Sequence, residues 1–455
     1  MLPEQVRSAV EARAIVEERG LQHVKVGVFD TDGILRGKYI DRDKFFAALE
    51  HGFGFCDVVL GWDSNDQLYD NGSFTGWHSA CPDAQVRLLP SSCRALPLEG
   101  AMLLFLGEFA GAAEQVCPRA VLRRVLQRAA TLGLRASAAA EFEFFLFDET
   151  PDSVRAKGYR ALKTLTPGYF GYSLLRSGVH VELHQALLQL AGDMRMPIEG
   201  LHTETGPGVI EAALHYTEAL EAADRAALFK TYVKVLAQRR ALMATFMAKW
   251  SPHLPGQSGH LHLSLQRADG SAAFHDPRQP HMISDELRWF VGGQQALLPE
   301  VLAMVACNVN SYSRLVPGFW APTAATWGID NRTCALRVIP GGAHSQRVEY
   351  RVAAADINPY LAIAAAIGSG LWGIEHRIEP DQPITGNAYE RTLPPRRQLP
   401  RTLGEAARRL ARSKPALQLF GDAFVAHFAA SREWEEREFQ RSVTDWELSR
   451  YFEII

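Results

Sequence analysis

The stretch Glu141-Phe142-Glu143 constrains this chain most, because it places two carboxylates in an otherwise apolar run, 138–147. The aromatic content of the run predicts a β-strand, in which alternate side chains point to opposite faces. Glu141 and Glu143 then share one face. Two adjacent carboxylates repel each other and are costly to desolvate. The pair therefore indicates either a solvent-facing stripe or a site for one or two divalent cations, and the remaining candidate ligands decide between the two.

Length, charge and cysteine spacing narrow the class of protein. A chain of 455 residues is too long for one ordinary core and predicts two domains or one unusually large one. With 47% hydrophobic residues, 22% charged residues and a net charge of −3, the composition favours neither nucleic acid nor a membrane as the main partner. Six scattered cysteines without a C-x-x-C motif indicate reduced thiols. The charged, helix-like start is unlike a signal peptide, so we expect a cytoplasmic enzyme.

The first 112 residues have the pattern of a small α/β domain. Helical periodicity covers 3–20, and a second short helix is predicted at 44–50. Between them, VKVGVFDTDGILRGKYI has two strand-like runs around an Asp-Gly turn, which predicts a hairpin. The polar segment Asp63-Ser64-Asn65-Asp66 is either a turn or a site for a small cation.

The remainder, 113–455, mixes helical and strand-like segments. A helix with proline in its first turn is predicted from Pro118 to Leu132. A flexible loop is predicted for 157–180, and further helices are predicted for 182–195, 217–250 and 285–305.

Two further motifs add candidate ligands. The segment HTETGPGVIE places Glu204 and Glu211 around a Gly-Pro-Gly turn. In GQSGHLHLS, His260 and His262 alternate along a predicted strand and face the same way. Such a pair is either a hydrogen-bonded surface pair or part of a metal site.

The segment 308–351 is rich in arginine. It contains Arg314, Arg332, Arg337, Arg347 and Arg351. The planar guanidinium suits phosphate and carboxylate oxygens, although ordinary surface pairing is the alternative. Strand parity places Glu349 on one face with Arg347 and Arg351, where its carboxylate is expected to stay ionised.

Taken together, these segments resemble the glutamine synthetase superfamily over nearly the whole chain. Six motifs occur in family order: EFEFF (141–145), HTETGPGVIE (202–211), GQSGHLHLS (256–264), NSYSRLVPG (310–318), WGIDNRTCALRVIP (327–340) and RVEYRVAAADINPYLAIAA (347–365). The resemblance implies an α+β fold with a small N-terminal β-grasp-like domain, 1–112, and a large C-terminal catalytic domain, 113–455. The catalytic domain would contain a curved antiparallel sheet, a half-barrel, flanked by helices.

The same resemblance implies the roles of the site residues. One Mg²⁺ or Mn²⁺ ion would be held by Glu143, Glu204 and Glu211, and a second by Glu141, His260 and Glu349. Gly256 and His260 match the region that holds glutamate, and Arg314 and Arg351 would contact either its carboxylate or the transferring phosphoryl group. The implied ATP-binding residues are His202, His262, Ser264, Arg337 and Arg347. Arg332 would lie over the reacting phosphate. Asp63 matches an ammonium-site aspartate, and Tyr169 and Glu204 would line the same pocket.

The implied reaction transfers the γ-phosphoryl group of ATP onto a carboxylate of glutamate, and an amine then attacks the acyl phosphate. Two metal ions and the arginines would neutralise the anions that this step brings together.

The most informative departure from the family pattern is Trp320. Glutamine synthetases proper carry at this position a glutamate that binds and deprotonates ammonium. An indole cannot act as a base; it lines a wall or attracts a cation with its face. We therefore predict a γ-glutamyl–amine ligase for an organic amine or polyamine, with Asp63 as the remaining base.

Three alternatives stay open at this point: a true glutamine synthetase that uses ammonium, a structural member of the fold without catalysis, and a related guanidino kinase. Val209 stands where the family commonly has glutamine, and His344 stands where bacterial members have lysine near the nucleotide. Family members assemble as hexameric or dodecameric rings, which implies that Asp63 acts in a neighbour's site.

Overall fold

The computed structural model describes residues 1–455, which form two β-sheets with helices packed against them. The first sheet lies in the N-terminal quarter of the chain. Its strands are β1 (His23–Phe29), β2 (Leu35–Asp41), β3 (Phe53–Cys56), β4 (Asp83–Leu88), β5 (Arg94–Ala95) and β6 (Leu103–Phe109), and the helices beside it are α1 (Ala9–Glu18) and α2 (Arg42–His51).

This sheet has the strand order β2-β1-β6-β4-β3, with β5 paired to β6. Strands β1 and β2 form the predicted antiparallel hairpin, whereas β1 and β6 run parallel. The two faces of β6 are buried in different cores: Leu103 and Phe105 in a small N-terminal core, Leu104 and Leu106 in the large core of the rest of the chain. The N-terminal sheet is therefore packed against the remainder of the protein through its central strand β6.

The second sheet has nine strands. They are β7 (Leu134–Phe147), β8 (Ile198–Thr203), β9 (Val209–Leu214), β10 (Thr217–Glu218), β11 (Met243–Thr245), β12 (Gly259–Arg267), β13 (Trp327–Ile329), β14 (Leu336–Ile339) and β15 (Arg347–Tyr350). The helices around it are α3 (Pro118–Thr131), α4 (Pro151–Ala156), α5 (Leu174–Val179), α6 (Val181–Asp193), α7 (Ala219–Arg239), α8 (Asp285–Val301), α9 (Val309–Arg314), α10 (Pro359–His376), α11 (Leu403–Arg412), α12 (Lys414–Phe420), α13 (Asp422–Gln440) and α14 (Asp445–Tyr451).

Strand β7 is the centre of this sheet. It pairs with β12 on one side and β9 on the other, and the complete order is β13-β14-β15-β12-β7-β9-β8, with β10 and β11 also paired to β7. All pairs are antiparallel except β13 with β14. Phe142 and Phe144 are fully buried and contact Phe229 of α7 and Phe246. The predicted α+β fold with a curved sheet flanked by helices is confirmed, and strand alternation leaves Glu141 and Glu143 on the opposite face.

One helix prediction was wrong. Instead of a helix over 217–250, α7 ends at Arg239, and short strands flank it at Thr217–Glu218 and Met243–Thr245. Both strands pair with β7, a tertiary contact that periodicity along the chain does not reveal. Ala241, with φ of 55°, makes the turn between the helix and the second strand. The predicted loop over 157–180 also contains a short helix, α5.

No helix in the chain is both long enough and apolar enough to span a bilayer.

Candidate active site

The open face of the nine-stranded sheet gathers the predicted ligands, because strand register places them opposite one another. The register pairs are Glu143 with Glu211, Glu211 with His202, His260 with Glu141, and Glu349 with both His262 and Arg337. Residues as far apart in the sequence as Glu141 and His260, which are separated by 119 positions, therefore lie opposite each other on neighbouring strands.

The first cluster lies at the β8–β9 side. His202 Nε2 is 3.2 Å from Glu204 Oε2 and 3.5 Å from Glu211 Oε1. One ligand atom from each of these three residues falls within 4.8 Å of the others. Glu143 lies beside them and accepts a 2.6 Å hydrogen bond from the Ser258 backbone N–H.

Burial and the neighbouring charges of Glu141, Glu143 and Glu204 raise the pKa of Glu211 to about 10. Four carboxylates thus crowd one partly buried region. A divalent cation would relieve their repulsion, so this donor set is suited to one.

The second cluster lies at the β12–β15 side. His260 Nδ1 is 3.3 Å from an oxygen of Glu141 and 3.3 Å from one of Glu349. His262 joins the group, with Nε2 3.5 Å from Glu141 Oε2. Glu141, His262 and Glu349 each offer one ligand atom within 4.8 Å of the others, and His260 contacts both of these carboxylates through Nδ1. The carboxylate and imidazole donors therefore fit a second divalent cation.

Glu349 stays ionised, as predicted. Burial raises its pKa, but the charges of His260 and Arg351 outweigh burial and lower the pKa to about 2. Arg337 Nη1 donates to Glu349 Oε2 at 2.9 Å, and Arg351 contacts the other oxygen.

These groups line one cavity of about 660 Å³. The predicted residues that line it are Glu141, Glu143, His202, Glu204, Glu211, Gly256, His260, His262, Arg314, Trp320, Arg332, Arg337, Arg347, Glu349 and Arg351. Ser264 and His344 lie instead in an adjoining cavity of about 320 Å³, which shares Glu141, His262 and Arg347 with the first.

A glycine is needed next to Arg314. A Cβ on Gly256 would lie 2.6 Å from Arg314 Cγ and 2.8 Å from the Ala248 carbonyl oxygen. The buried guanidinium of Arg314 donates to the backbone carbonyl of Val352 at 2.9 Å, which holds it at the cavity wall.

Two predicted residues, Asp63 and Tyr169, line neither of these two cavities within one chain. Asp63 lies in a separate cavity beside Asn310 and Glu435, and its carboxylate accepts 2.8 Å hydrogen bonds from the backbone N–H groups of Asn65 and Gln67. This bonding is that of a turn, the first of the two interpretations of the loop. Tyr169 is exposed, with its hydroxyl 3.5 Å from the His253 carbonyl oxygen.

An aromatic wall completes the cavity, and sequence reasoning found only part of it. Phe319 and Tyr172 line the cavity together with Trp320. Tyr172 stacks on His202, with ring centroids 4.3 Å apart. Trp320 has a φ of 57° and is 61% exposed. The sequence contained signals for both missed residues, because Phe319 adjoins Trp320 and Tyr172 lies in the tyrosine-rich segment 157–180.

The comparison with known proteins agrees with this geometry. The family described as "Glutamine synthetase, catalytic domain" matches residues 115–451. The chain belongs to the glutamine synthetase family. It is thus a ligase of the glutamine synthetase family, whose members use ATP and divalent metal ions.

Relatives within the family carry different names. The chain is 45% identical over 440 residues to "Type-1 glutamine synthetase 2" of Dictyostelium discoideum, covering 95% of this chain and 84% of that protein. It is 35% identical to "Glutamate--isopropylamine ligase" of a Pseudomonas species over the full length of both. The solved structure "Apo GmaS without ligand" matches with a TM-score of 0.84 at 27% identity, covering 97% and 99% of the two chains. These relatives include both a named glutamine synthetase and a named amine ligase.

Proposed function

We propose that this member of the glutamine synthetase family is an ATP-dependent glutamate–amine ligase. It activates the γ-carboxylate of glutamate as γ-glutamyl phosphate and transfers the γ-glutamyl group to an organic amine or polyamine. The observation that carries the proposal is Trp320, an indole that lines the cavity beside the carboxylate clusters. Because an indole cannot take a proton from ammonium but can contact an alkyl chain, the acceptor is an amine with a carbon tail.

Two divalent cations, Mg²⁺ or Mn²⁺, fit the carboxylate and imidazole clusters described above. We assign Glu143, Glu204 and Glu211 to one ion and Glu141, His260 and Glu349 to the other. When bound, the ions would supply positive charge against the phosphate oxygens during phosphoryl transfer. In our proposal His202 and His262 lie beside these sets on the nucleotide side.

The arginines position the anions. We assign Arg314 and Arg351, with Gly256 and His260, to the carboxylate groups of glutamate, and Arg332 to the reacting phosphate. Arg337, Arg347 and Ser264 are assigned to the nucleotide side, where the adjoining cavity opens from the first. Guanidinium groups suit this task since they are planar and permanently charged.

The proton acceptor for the amine is proposed to come from Glu204 and from Asp63 of a neighbouring copy. Within one chain Asp63 faces a different cavity, so this role requires a ring of subunits, a hexamer or a dodecamer. Tyr169, on the exposed rim, is assigned to the same acceptor pocket. The division into an N-terminal domain, residues 1–112, and a C-terminal catalytic domain, residues 113–455, is also part of the proposal.

The test measures phosphate release with ATP, Mg²⁺ and glutamate, once with ammonium and once with each amine of a panel. We expect a higher kcat/KM for at least one organic amine than for ammonium, and a γ-glutamylamide product by mass spectrometry. Omitting glutamate is the control for simple ATP hydrolysis. A preference for ammonium over every amine would contradict the proposal.

One observation favours a second candidate, glutamine formation from ammonium: a relative at 45% identity carries the name of a glutamine synthetase. The same assay decides between the two, since glutamine and a γ-glutamylamide differ in mass.

A further inference from the structure

One arginine of the N-terminal hairpin is bound to the polar loop that carries Asp63. Arg36 of β2 donates from Nε to Asp30 Oδ2 at 2.8 Å and from Nη1 to Asp66 Oδ1 at 2.7 Å. Its Nη2 donates to the Asp63 carbonyl oxygen at 3.4 Å, and the guanidinium lies over the Trp62 ring, 5.0 Å from the ring centroid. A single side chain therefore connects the hairpin to three residues of the loop.

The hairpin end of this connection is fixed. The Asp30 side chain is 1% exposed, and its Oδ1 accepts hydrogen bonds from two backbone N–H groups of the hairpin turn, at 3.0 and 2.8 Å. The side chain of Asn358, at the start of α10, donates to the carbonyl oxygens of Asp30 and Thr31 at 3.3 and 3.0 Å. Arg36 is thus anchored through Asp30 to the part of the chain that contains the cavity.

The other end of the connection is the segment 62–68, which we call the Asp63 loop. The Asp63 carboxylate accepts hydrogen bonds from two backbone N–H groups of the same loop, so its direction follows the conformation of the loop. Asp66 has a φ of 62°, which is uncommon for a residue other than glycine. The side-chain hydrogen bonds that reach this turn from outside the loop come from Arg36. The position of the Asp63 carboxylate therefore depends on Arg36.

Resting on the proposed function, in which Asp63 acts in the acceptor pocket of a neighbouring copy, we propose that Arg36 is a positioning residue for the amine acceptor. Arg36 itself touches no substrate. Its guanidinium holds the Asp63 loop on the hairpin and so determines where the Asp63 carboxylate lies when it meets the amine. A displacement of about 1 Å in such a group can lower the rate by about a hundredfold.

A purely structural ion pair is the alternative role for Arg36. Because Asp30 is buried, removing the positive charge beside it would destabilise the fold regardless of any effect on the amine. The substitution must therefore keep Asp30 paired while it releases the loop. Arg36→Lys meets this condition, because an ammonium retains the charge but lacks the planar fork that reaches Asp66 and the Asp63 carbonyl at the same time.

The experiment measures steady-state kinetics of full-length Arg36→Lys and of the unaltered protein with ATP, Mg²⁺, glutamate and the amine of the panel that has the highest kcat/KM. We expect the KM for the amine to rise about tenfold in the variant, while the KM values for ATP and glutamate stay within about twofold.

The matched control is Arg13→Lys. Arg13 pairs with the exposed Glu50 at 3.4 Å and lies 4.3 Å from the Phe46 ring centroid, so it makes the same kinds of contact without involving the Asp63 loop. This substitution should leave all three KM values unchanged.

Two further measurements test the route through Asp63. In the Asp63→Asn background, Arg36→Lys should change the KM for the amine by less than about twofold, because both substitutions act on one carboxylate. Hydrogen exchange of the peptide 62–68 should be faster in Arg36→Lys than in the unaltered protein, and this readout needs no turnover.

The outcomes separate the two proposals. An unchanged KM for the amine in Arg36→Lys, or unchanged hydrogen exchange of the Asp63 loop, overturns the positioning role. Equal increases in the KM values for the amine, ATP and glutamate also overturn it, since they indicate a general structural effect. A full effect of Arg36→Lys in the Asp63→Asn background overturns the route through Asp63. Preference of the unaltered protein for ammonium overturns the amine-ligase function, whereas the KM for ammonium in Arg36→Lys still tests the role of Arg36.

Discussion

At the residue scale, the proposed function assigns the choice of nucleophile to one residue of the cavity wall, Trp320. In the proposed reaction the carboxylates, histidines and arginines of the cavity serve phosphoryl transfer, and every member of the predicted metal set lines the cavity. Trp320 is different in kind, since it has no acid–base chemistry at neutral pH. A bulky residue at φ 57° is also unusual, which indicates that the surrounding loop holds the indole at this place rather than its own backbone preference.

The first prediction concerns this indole. Trp320→Glu should increase kcat/KM for ammonium by about tenfold, because a carboxylate pairs with the cation more strongly than an indole face does, although exposure of the site limits the gain. The same change should lower kcat/KM for butylamine. Trp320→Gln is the matched control, because glutamine has nearly the same size as glutamate but carries no charge. If the Gln and Glu variants behave alike, the charge of residue 320 does not select the nucleophile.

At the scale of the elements, the site depends on how closely β12 approaches its neighbours. Gly259, the first residue of β12, has no room for a side chain. A Cβ there would lie 2.5 Å from the Ala354 carbonyl oxygen and 3.1 Å from the Phe142 ring. The strand brings in His260 and His262 directly after this residue, so the position of both imidazoles follows from the glycine.

The second prediction is that Gly259→Ala lowers the free energy of unfolding by about 1–3 kcal/mol and reduces ligase activity more than in proportion to the folded fraction. The added methyl group pushes β12 away from Ala354 and shifts His260. Chemical denaturation and Mg²⁺-dependent activity of the same preparation measure the two effects. Gly192→Ala, at a position in α6 with no atom within 4 Å of the new Cβ, is the control. Equal effects of the two substitutions would contradict the account.

The sequence correctly predicted those elements whose pattern depends only on residues close together in the chain. The Asp-Gly hairpin of β1 and β2 and the alternation along β7 are such patterns, and both were correct. The segment after α7 was not, since Met243–Thr245 is strand only through its pairing with Phe145–Phe147. Within the site, the alternation of side chains along single strands placed Glu141 and Glu143 on one face, and Glu349 on one face with Arg347 and Arg351. No periodicity shows that the Lys249 ammonium lies over the Phe319 ring, 4.0 Å from its centroid, because that contact joins two loops.

At the scale of the whole molecule, buried polar contacts join the N-terminal sheet to the catalytic part. Arg432 of α13 is fully buried, donates to the Asp32 carboxylate at 2.7 Å and reaches the Tyr69 hydroxyl at 3.2 Å. Asn358 donates to the backbone carbonyls of Asp30 and Thr31. Each of these groups would be costly to leave unpaired, so we expect the two parts to unfold together rather than separately.

The third prediction uses another contact of this junction, His427 of α13, whose Nε2–H donates to the Leu60 carbonyl at 2.7 Å. Burial, with the nearby charge of Arg432, lowers the His427 pKa to about 4. In the unfolded chain the pKa is about 6.5. Between these values the unfolded state binds the extra proton, so stability falls as the pH drops from about 6.5 to about 4, by roughly 3 kcal/mol in total from this group.

His427→Gln keeps a donor for Leu60 but cannot take up the proton, and should therefore lose less stability than the unaltered protein on going from pH 7.5 to pH 4.5. Urea denaturation at both pH values measures the difference, and the exposed His51→Gln is the control, with an unchanged pH dependence. The comparison between variants cancels the carboxylates that titrate in the same range. If the free energy of unfolding changes equally with pH in His427→Gln and in the unaltered protein, protonation of His427 does not destabilise the junction. The acid sensitivity of the molecule would then arise in the carboxylate clusters of the sheet instead.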